Sequence, residues 1–462
     1  MQNRAAAKAA AMFSVAMGLA LGLLLSSCAP FSVPSASTTA PSETDAAVSS
    51  ASETTAASVT AGTTASLSRR QSGTVTQDWT LPQAITLRPA PALQGETTQP
   101  PENYEFGGYA YATLSMTQRF VYTQMEQTVR QMKSRMVSAG LCTEKDLYVS
   151  YLAMKNDHPE YFWHQNGFRY RQIENVWEFA FALENTDFQY TYSTSEKSFM
   201  EQKLNLAVEE AMQVIRSGMS EYQKELALHN YLVDRVTYDH AAASDPSSVE
   251  HASAFTAYGA LVEGAAVCEG YARAYSLLLN RAGLENTLAS GYLTTDQVGH
   301  IWNMVQIGGE WYHVDPTLND TSDGDFHLYF NVSDTFTKTD HRIDPSFSAA
   351  TEETLRTMAF NMPLPAASSM TYNWAVNFGT YIESQGDMIE VVSAAIEREL
   401  PMQVEAIEFV FGESYARTYS GLILQEVAPV VYGYYDKHPE QHRRQISISG
   451  IQGGKGFKVC FS

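Results

Sequence analysis

Three residues with the chemistry of acyl transfer follow one another in the second half of the sequence, and the first of them is Cys268. Cys268 directly precedes a helical pattern of apolar residues that ends at Gly283. The unsatisfied N–H groups and the dipole at a helix N-terminus favour a thiolate over a thiol. A cysteine in this place has what a nucleophile needs. The alternative is a buried structural cysteine, which is the common fate of cysteines outside disulfides.

The other two residues, His300 and Asp315, lie in two strand-like runs that flank Gly308 and Gly309. Two glycines between such runs indicate a tight β-hairpin. A two-residue loop places Asp315 opposite Trp302, and His300 then lies on the same face, diagonal to Asp315. Diagonal neighbours in a sheet are about 7–8 Å apart, a distance that a His–Asp side-chain hydrogen bond can span. The hairpin therefore predicts an imidazole base held by a carboxylate.

The three residues have a clear division of labour in acyl transfer. Cys268 attacks a carboxamide carbon, His300 accepts its proton and passes it to the leaving amine, and Asp315 fixes the imidazole tautomer. The tetrahedral oxyanion needs two donors. One is the backbone N–H of Cys268, and Tyr258 is a candidate for the second by its proximity in sequence alone.

The segments around these residues resemble the bacterial transglutaminase-like core over about residues 220–344. The resemblance is carried by runs that include Tyr258-Gly259-Ala260-Leu261-Val262, Cys268-Glu269-Gly270-Tyr271-Ala272, His300-Ile301-Trp302-Asn303, Trp311-Tyr312-His313-Val314-Asp315-Pro316-Thr317 and Asp340-His341-Arg342. It implies a papain-like fold in which Cys268, His300 and Asp315 form the catalytic triad.

The resemblance leaves the reaction open, because both water and an amine can resolve a thioester on Cys268. Bacterial members of the family resemble peptidases or amidases at least as often as crosslinking enzymes. We therefore expect hydrolysis of amide bonds in proteins or cell-wall peptides. Crosslinking of protein glutamines is one alternative, and a non-catalytic binding or adaptor module on the same fold is another.

No cofactor and no metal site is expected. An acidic cluster follows the triad strand at Asp320, Asp323 and Asp325. This cluster is more typical of a solvated turn than of a calcium site. His313 lacks the ligand spacing that would make a zinc site with the triad residues.

The N-terminus has the parts of an export signal. Arg4 and Lys8 precede an uncharged apolar stretch, 9–25, which leads into Leu25-Ser26-Ser27-Cys28. This string resembles the bacterial lipobox, so Cys28 is expected to be lipidated and to anchor the protein on the extracytoplasmic face of a bacterial cell membrane. An uncleaved anchor helix is the alternative.

A low-complexity segment follows the lipobox. Between Ser35 and Leu67, 25 residues are Ser, Thr or Ala and none is aromatic, and the first tyrosine of the chain is Tyr104. Such a segment has too little apolar surface to offset the entropy of ordering it. We expect a disordered tether between the membrane and the folded part.

The whole chain is acidic, with 462 residues, 30 Lys and Arg, 51 Asp and Glu, and a formal net charge of −21. This balance excludes a general nucleic-acid binder, whose affinity comes from clustered Lys and Arg. Four cysteines are too few for a disulfide framework. Cys142 and Cys460 could pair or stay separate, and the sequence carries no signal for an oligomeric state.

The predicted fold is α+β, with a papain-like core between a helical N-terminal region and a small C-terminal α+β domain. The expected segments are a signal peptide 1–27, a tether 28–101, a mainly helical region 102–218, the core 219–345, a linker 346–370 and the C-terminal domain 371–462. Apolar spacing predicts helices from Thr117 to about Val137 and from Ser198 to Ile215. Turns and short strands are expected between them, and a capping box at Ser220 and Gln223 starts a third helix.

Overall fold

The computed structural model describes residues 108–462 except 134, 140–141, 165–168, 174–175, 181–189, 191, 247, 295–297, 322–323, 326, 344–362, 413–422 and 452–454. The predicted signal, the lipidation site Cys28 and the tether lie outside these residues. So does most of the predicted linker. None of the helices in the described part combines the length and the apolar character needed to cross a bilayer.

The N-terminal part consists of helices and one antiparallel sheet with strand order β1-β3-β2. Its elements are α1 (Tyr109–Ala112), α2 (Met116–Arg130), β1 (Arg135–Ala139), α3 (Glu144–Asp157), β2 (Arg169–Ile173), β3 (Val176–Ala180) and α4 (Thr194–Met212). The strands expected in this region are present, and α4 agrees with the second predicted helix. The predicted extension of the first helix to Val137 is wrong, because Met132 has a φ of 52° and the chain continues as a strand.

The core contains a four-stranded antiparallel sheet with strand order β11-β6-β7-β8. The elements of this part are α5 (Glu221–Arg235), β4 (Thr237–Tyr238), α6 (His240–Ser244), a 3₁₀ helix (Val249–Phe255), a π-helical turn (Gly259–Glu263), β5 (Ala265–Ala266), α7 (Cys268–Ala282), β6 (Asn286–Leu293), β7 (Gly299–Ile307), β8 (Glu310–Val314), α8 (Pro316–Asn319), β9 (Asp320–Thr321), β10 (Gly324–Asp325), α9 (Asp334–Thr337) and β11 (His341–Ile343). Apolar side chains of α4, α5 and α7 form one buried cluster with β7 and β8.

Local sequence signals set the ends of the two central helices. The predicted capping box is present, since the Ser220 hydroxyl accepts from the Gln223 N–H and the Gln223 side chain accepts from the Ser220 N–H. Helix α7 ends at Gly283, whose φ of 75° is favourable only for glycine. The start of α5 and the end of α7 therefore lie where the sequence predicts.

The C-terminal part has its own four-stranded sheet, with strand order β12-β13-β15-β14, and its own apolar core. Its elements are α10 (Trp374–Phe378), β12 (Tyr381–Ile382), α11 (Met388–Glu399), β13 (Ala406–Phe411), α12 (Ile423–Lys437), β14 (Ile446–Gly450) and β15 (Gly456–Phe461). Strand β13 carries Ile407, Phe409 and Phe411, and β14 and β15 form the final hairpin. The chain thus has the predicted α+β class.

Candidate active site

Cys268 is the first residue of α7 and is buried. It packs with Ala272, Leu288 and Ile301, and Tyr238 packs against this group. Ile301 is on β7, next to His300 in sequence. This cluster places Cys268 beside the strand that carries the histidine.

Two contacts hold the start of α7 in place. The Asn303 amide on β7 donates to the Ala272 carbonyl oxygen at 2.9 Å, so helix and strand are joined by a buried hydrogen bond. A Cβ at Gly270 would lie 2.4 Å from the Ala254 carbonyl oxygen, so only glycine lets the helix approach the preceding segment this closely.

An ion network also surrounds the residue after the cysteine. Arg273 donates from Nε to the Glu269 carboxylate at 2.9 Å and from Nη1 to the Lys155 carbonyl oxygen at 2.6 Å. Lys155 is on α3, and burial lowers the pKa of its amine to about 8. The N-terminal helices therefore fix the first turn of the helix that carries Cys268.

The hairpin that carries His300 and Asp315 has the predicted register. Ile307 pairs with Glu310 and Asn303 with Val314, which is the last pair of the ladder. The same register, continued by one residue, sets Asp315 just past the end of β8 opposite Trp302. The loop glycines have φ values of 61° and 86°, as a two-residue loop of this kind requires.

The predicted contact between the two side chains is present. His300 Nε2 lies 2.5 Å from Asp315 Oδ2, and both residues are buried. A hydrogen bond at Nε2 leaves Nδ1 as the ring atom that can exchange a proton with a nucleophile.

Asp315 is held by four hydrogen bonds, two at each oxygen. Its Oδ1 accepts from the N–H groups of Thr317 and Leu318 at 3.0 and 3.1 Å, which caps α8. Its Oδ2 lies near His300 Nε2 and His341 Nε2. Burial alone would raise the pKa of Asp315, but the charge and hydrogen bond of His300, together with His341, hold it well below its ordinary value.

His341 is a residue of the site that sequence reasoning did not select. Its Nε2 lies 3.1 Å from Asp315 Oδ2 and its Nδ1 lies 2.7 Å from Asp340 Oδ1. Burial would lower the pKa of His341, but the hydrogen bonds to the two carboxylates raise it above its ordinary value. A buried imidazole between two carboxylates is best satisfied as an imidazolium.

One cluster in the described part of the chain has metal-ligand chemistry. His300, Asp315 and His341 present one ligand atom each, and these atoms lie within 4.8 Å of one another. The 2.5 and 3.1 Å contacts already pair these atoms with one another. We therefore describe the cluster as a proton-sharing group, and no step of the reaction is assigned to a metal.

Tyr258, the predicted second oxyanion donor, lies in the main apolar core, where its ring is 5.3 Å from that of Phe162. Its role stays a prediction. Tyr238 is the tyrosine that packs against the group around Cys268. It is on β4, which pairs with β5 immediately before α7.

The other histidine and the two other cysteines considered in the sequence analysis lie outside the His300–Asp315 pair. His313 pairs with Met304, lies 2.8 Å from Asp334 Oδ1 through its Nε2, and accepts from the Trp302 indole N–H at 3.0 Å. Cys142 and Cys460 are not joined in a disulfide.

These features define an α+β domain with a buried cysteine at a helix N-terminus and a buried His–Asp pair on the neighbouring antiparallel hairpin. Residues 209–316 match the model of the transglutaminase-like superfamily. A comparison with curated proteins gave no match.

Solved structures are similar to parts of the chain. They include a TGase (14% identity, TM-score 0.25), a candidate cysteine protease from Cytophaga hutchinsonii (16%, 0.21) and a candidate protease from Parabacteroides distasonis (10%, 0.19). The matches cover 42%, 31% and 39% of this chain and 53%, 52% and 37% of those structures. The chain thus spans about half the length of the first two. We base the reaction on the site itself.

Proposed function

We propose that the chain is a cysteine enzyme that acts on amide bonds of proteins or cell-wall peptides through a thioester, with hydrolysis favoured. The observation that supports this proposal is the buried His300–Asp315 hydrogen bond, on a hairpin whose Ile301 belongs to the same buried cluster as Cys268 at the start of α7.

The first half of the reaction forms the thioester. The Cys268 thiolate attacks the carboxamide carbon, and the C=O electron pair moves to oxygen. The tetrahedral intermediate then breaks its C–N bond, and the leaving amine takes a proton from the His300 imidazolium. Asp315 stabilises that imidazolium and keeps Nδ1 directed away from the carboxylate.

The second half regenerates the cysteine. A water molecule attacks the thioester carbon, His300 accepts a proton from it, and the C–S bond breaks to release a carboxylic acid. An amine in place of water would give a new amide, which is transglutaminase crosslinking. Product analysis with a peptide library and an added primary amine separates the two: new carboxyl groups support hydrolysis, and amine incorporation at glutamine supports crosslinking.

We also propose that lipidated Cys28 holds this enzyme on the extracytoplasmic face of a bacterial membrane, with the segment 28–101 as tether. The proposal rests on the lipobox-like string of the sequence. Metabolic labelling with a fatty-acid analogue tests it, because Cys28→Ala should abolish incorporation.

Thiol labelling tests the assignment of the nucleophile. With a low dose of iodoacetamide near neutral pH, Cys268 should react at least about tenfold faster than Cys142 and Cys460. Burial, followed by the charge of Asp146, raises the pKa of the Cys142 thiol, so this residue is an internal slow reference. Mass spectrometry of tryptic peptides measures the three rates.

His300→Ala should remove the advantage of Cys268 and leave the other two rates unchanged. Equal slow labelling of all three cysteines in the unsubstituted protein would contradict an activated nucleophile. It would favour the second candidate, a non-catalytic binding module, for which Cys268→Ala leaves the biological role intact.

The second oxyanion donor can be identified by two matched substitutions. The packing of Tyr238 against the Cys268 group leads us to expect that Tyr238→Phe lowers kcat about 100-fold. Tyr258→Phe should then change kcat less than about threefold. The reverse ranking would support the sequence prediction of Tyr258, and two fully active variants would exclude both hydroxyls. Steady-state kinetics on one peptide substrate gives the comparison.

A further inference from the structure

Lys455 of the C-terminal part is buried next to the core in a way that the reaction above does not use. It precedes β15, and its Nζ lies 2.7 Å from Asp340 Oδ2. The amine also lies over two aromatic rings of the core, 4.8 Å from that of Tyr329 and 4.4 Å from that of Phe336. Burying an ammonium group is costly unless it is paired. The C-terminal part therefore contributes one buried cation to the core.

Asp340, the partner of this lysine, connects it to the His–Asp pair. One carboxylate oxygen of Asp340 binds Lys455 and also accepts from the Tyr329 hydroxyl. The other oxygen binds His341, which in turn binds Asp315. Contacts of 2.5 to 3.1 Å thus join five groups in a row: Lys455, Asp340, His341, Asp315 and His300.

The charges in this row alternate. An ionised carboxylate can only accept hydrogen bonds, so the two nitrogens of His341, each facing a carboxylate, both carry protons. The row then reads cation, anion, cation, anion, followed by His300. With His300 neutral the charges cancel, and with His300 protonated the excess charge is one positive unit, which a thiolate on Cys268 would balance.

We propose that Lys455, acting through Asp340 and His341, is a positioning residue for the Asp315–His300 pair, so that the C-terminal domain completes the active site. This inference rests on the proposed function, because it assigns a role within the same reaction. None of these three residues touches the reacting atoms. Their role is to hold the Asp315 carboxylate in position and to balance its negative charge.

The row makes a specific electrostatic prediction. Loss of either cation, Lys455 or His341, leaves one uncompensated buried negative charge near His300. Protonation of His300 then becomes easier, and the limb of the pH–rate profile that reports His300 moves to higher pH. The rings of His341 and His300 are 5.6 Å apart, so His341→Gln should move this limb by at least about one pH unit.

Six polar or charged groups lie around His341 and could influence its charge. Those that face it from the neighbouring elements are His300 on β7, His313 on β8, Asp315 at the start of α8, Tyr329 before α9, Asp340 before β11, and Lys455. His313 is bonded to Asp334, with Lys338 beyond it. None of these groups is changed by the substitutions below except the one replaced.

The kinetic experiment compares four variants of the full chain. Lys455→Met should lower kcat at least about tenfold, leave KM within about twofold and move the His300 limb upward by less than His341→Gln does. Lys455→Arg keeps the charge and should restore the limb to its original position. Val459→Ala is the control, because it opens the core on the same strand without touching the row.

Several outcomes would overturn the inference. The first is a His300 limb that stays in place in both Lys455→Met and His341→Gln. The second is a shift in Lys455→Arg as large as that in Lys455→Met. The third is a shift in Val459→Ala, which would show that the effect comes from packing. If Lys455→Met does not fold, the position of the His300 limb in His341→Gln and Lys455→Arg still tests the inference.

A second measurement is independent of activity. In ¹⁵N–¹H correlation spectra of histidine-labelled full chain, His341→Gln identifies the ring signals of His341. Both ring nitrogens should show imidazolium shifts at about pH 7, because each donates to a carboxylate. A neutral ring at that pH overturns the row even if no activity is found. An imidazolium ring in a chain without Cys268-dependent turnover would leave the row intact and defeat only the proposed function.

Discussion

Replacing Asp315 by asparagine should lower kcat by about 10³- to 10⁴-fold, while the free energy of unfolding falls only slightly. The side-chain oxygen of the asparagine can still accept the N–H groups of Thr317 and Leu318 that cap α8. Its NH₂ group, however, would face the ring nitrogen of His300 that now donates to Oδ2. Two donors cannot bond, so the imidazole must change tautomer or turn away, and the base that activates Cys268 is lost.

A second His–Asp pair, formed by His313 on β8 and Asp334 at the start of α9, provides the control. Asp334 bonds His313 at 2.8 Å, and nothing in the proposed reaction uses that pair. Asp334→Asn should therefore keep kcat within about threefold. Steady-state kinetics, with circular dichroism to verify folding, makes the comparison. If Asp315→Asn retains more than about a tenth of the original kcat, His300 and Asp315 are not the base and its orienting carboxylate.

Much of this pair could be predicted because its geometry is local. Two glycines set the loop length, the loop length sets the register, and the register places Asp315 diagonal to His300. The start of α7 could be predicted equally well, because an apolar helical pattern that ends at Gly283 defines that helix. Short-range rules were enough wherever the chain turns back on itself within a few residues.

The rest of the row is non-local and has no such signature. Asp340 and His341 come from β11 and the turn before it, beyond α8, the strands β9 and β10, and α9, and Lys455 comes from the C-terminal part of the chain. In the sequence, only the resemblance to the transglutaminase-like core included the Asp340–His341 segment. No spacing rule connects residues whose contact depends on how separate sheets pack.

Helix α3 was missed for another reason. Its residues 147–154 are all buried, so no polar face alternates with an apolar one, and the periodicity that reveals amphipathic helices is absent. The first helix was overextended because Met132 and Met136 continue its apolar spacing, although the chain leaves the helix after Arg130. Periodicity records which side chains are apolar and not where the backbone turns.

The second large effect concerns stability and involves Glu225, a carboxyl group on α5 that the reaction does not use. Glu225 is fully buried, and its Oε2 accepts from the Asn331 amide at 2.7 Å. Its Oε1 and the Asn331 Oδ1 are buried without a hydrogen-bond partner among the described residues. Burial raises the pKa of Glu225 from 4.5 to about 8, with the Asn331 bond opposing the shift and Glu221 adding to it.

The sign of the pH dependence follows from this shift. The folded chain keeps a proton on Glu225 that the unfolded chain releases near pH 4.5. The unfolded state is therefore stabilised relative to the folded state as pH rises. The free energy of unfolding should fall by up to about 1.4 kcal/mol per pH unit between about pH 4.5 and 8. Below this window the contribution is complete, and above it the contribution is lost.

Glu225→Gln should therefore stabilise the protein by roughly 3 kcal/mol at about pH 7 and by little at about pH 5. Glutamine has the shape of the protonated acid. Its amide oxygen can accept from Asn331 Nδ2, and its NH₂ group, in place of Oε1, can donate to Asn331 Oδ1. Urea unfolding of the full chain at a series of pH values from about 5 to about 8, followed by tryptophan fluorescence, measures the difference.

Glu390→Gln is the matched control, since Glu390 is exposed on α11 and its replacement should leave the pH dependence unchanged. Parallel pH curves for the unsubstituted protein and Glu225→Gln would show that Glu225 is ionised in the folded chain at neutral pH. Converging curves at low pH and a growing gap towards about pH 8 would show that this buried acid limits stability under alkaline conditions. The gap arises at Glu225 on α5 and its partner Asn331, which are not part of the proposed reaction. Glu225→Gln should therefore extend the pH range over which the chain stays folded without moving the limb of the pH–rate profile that reports His300.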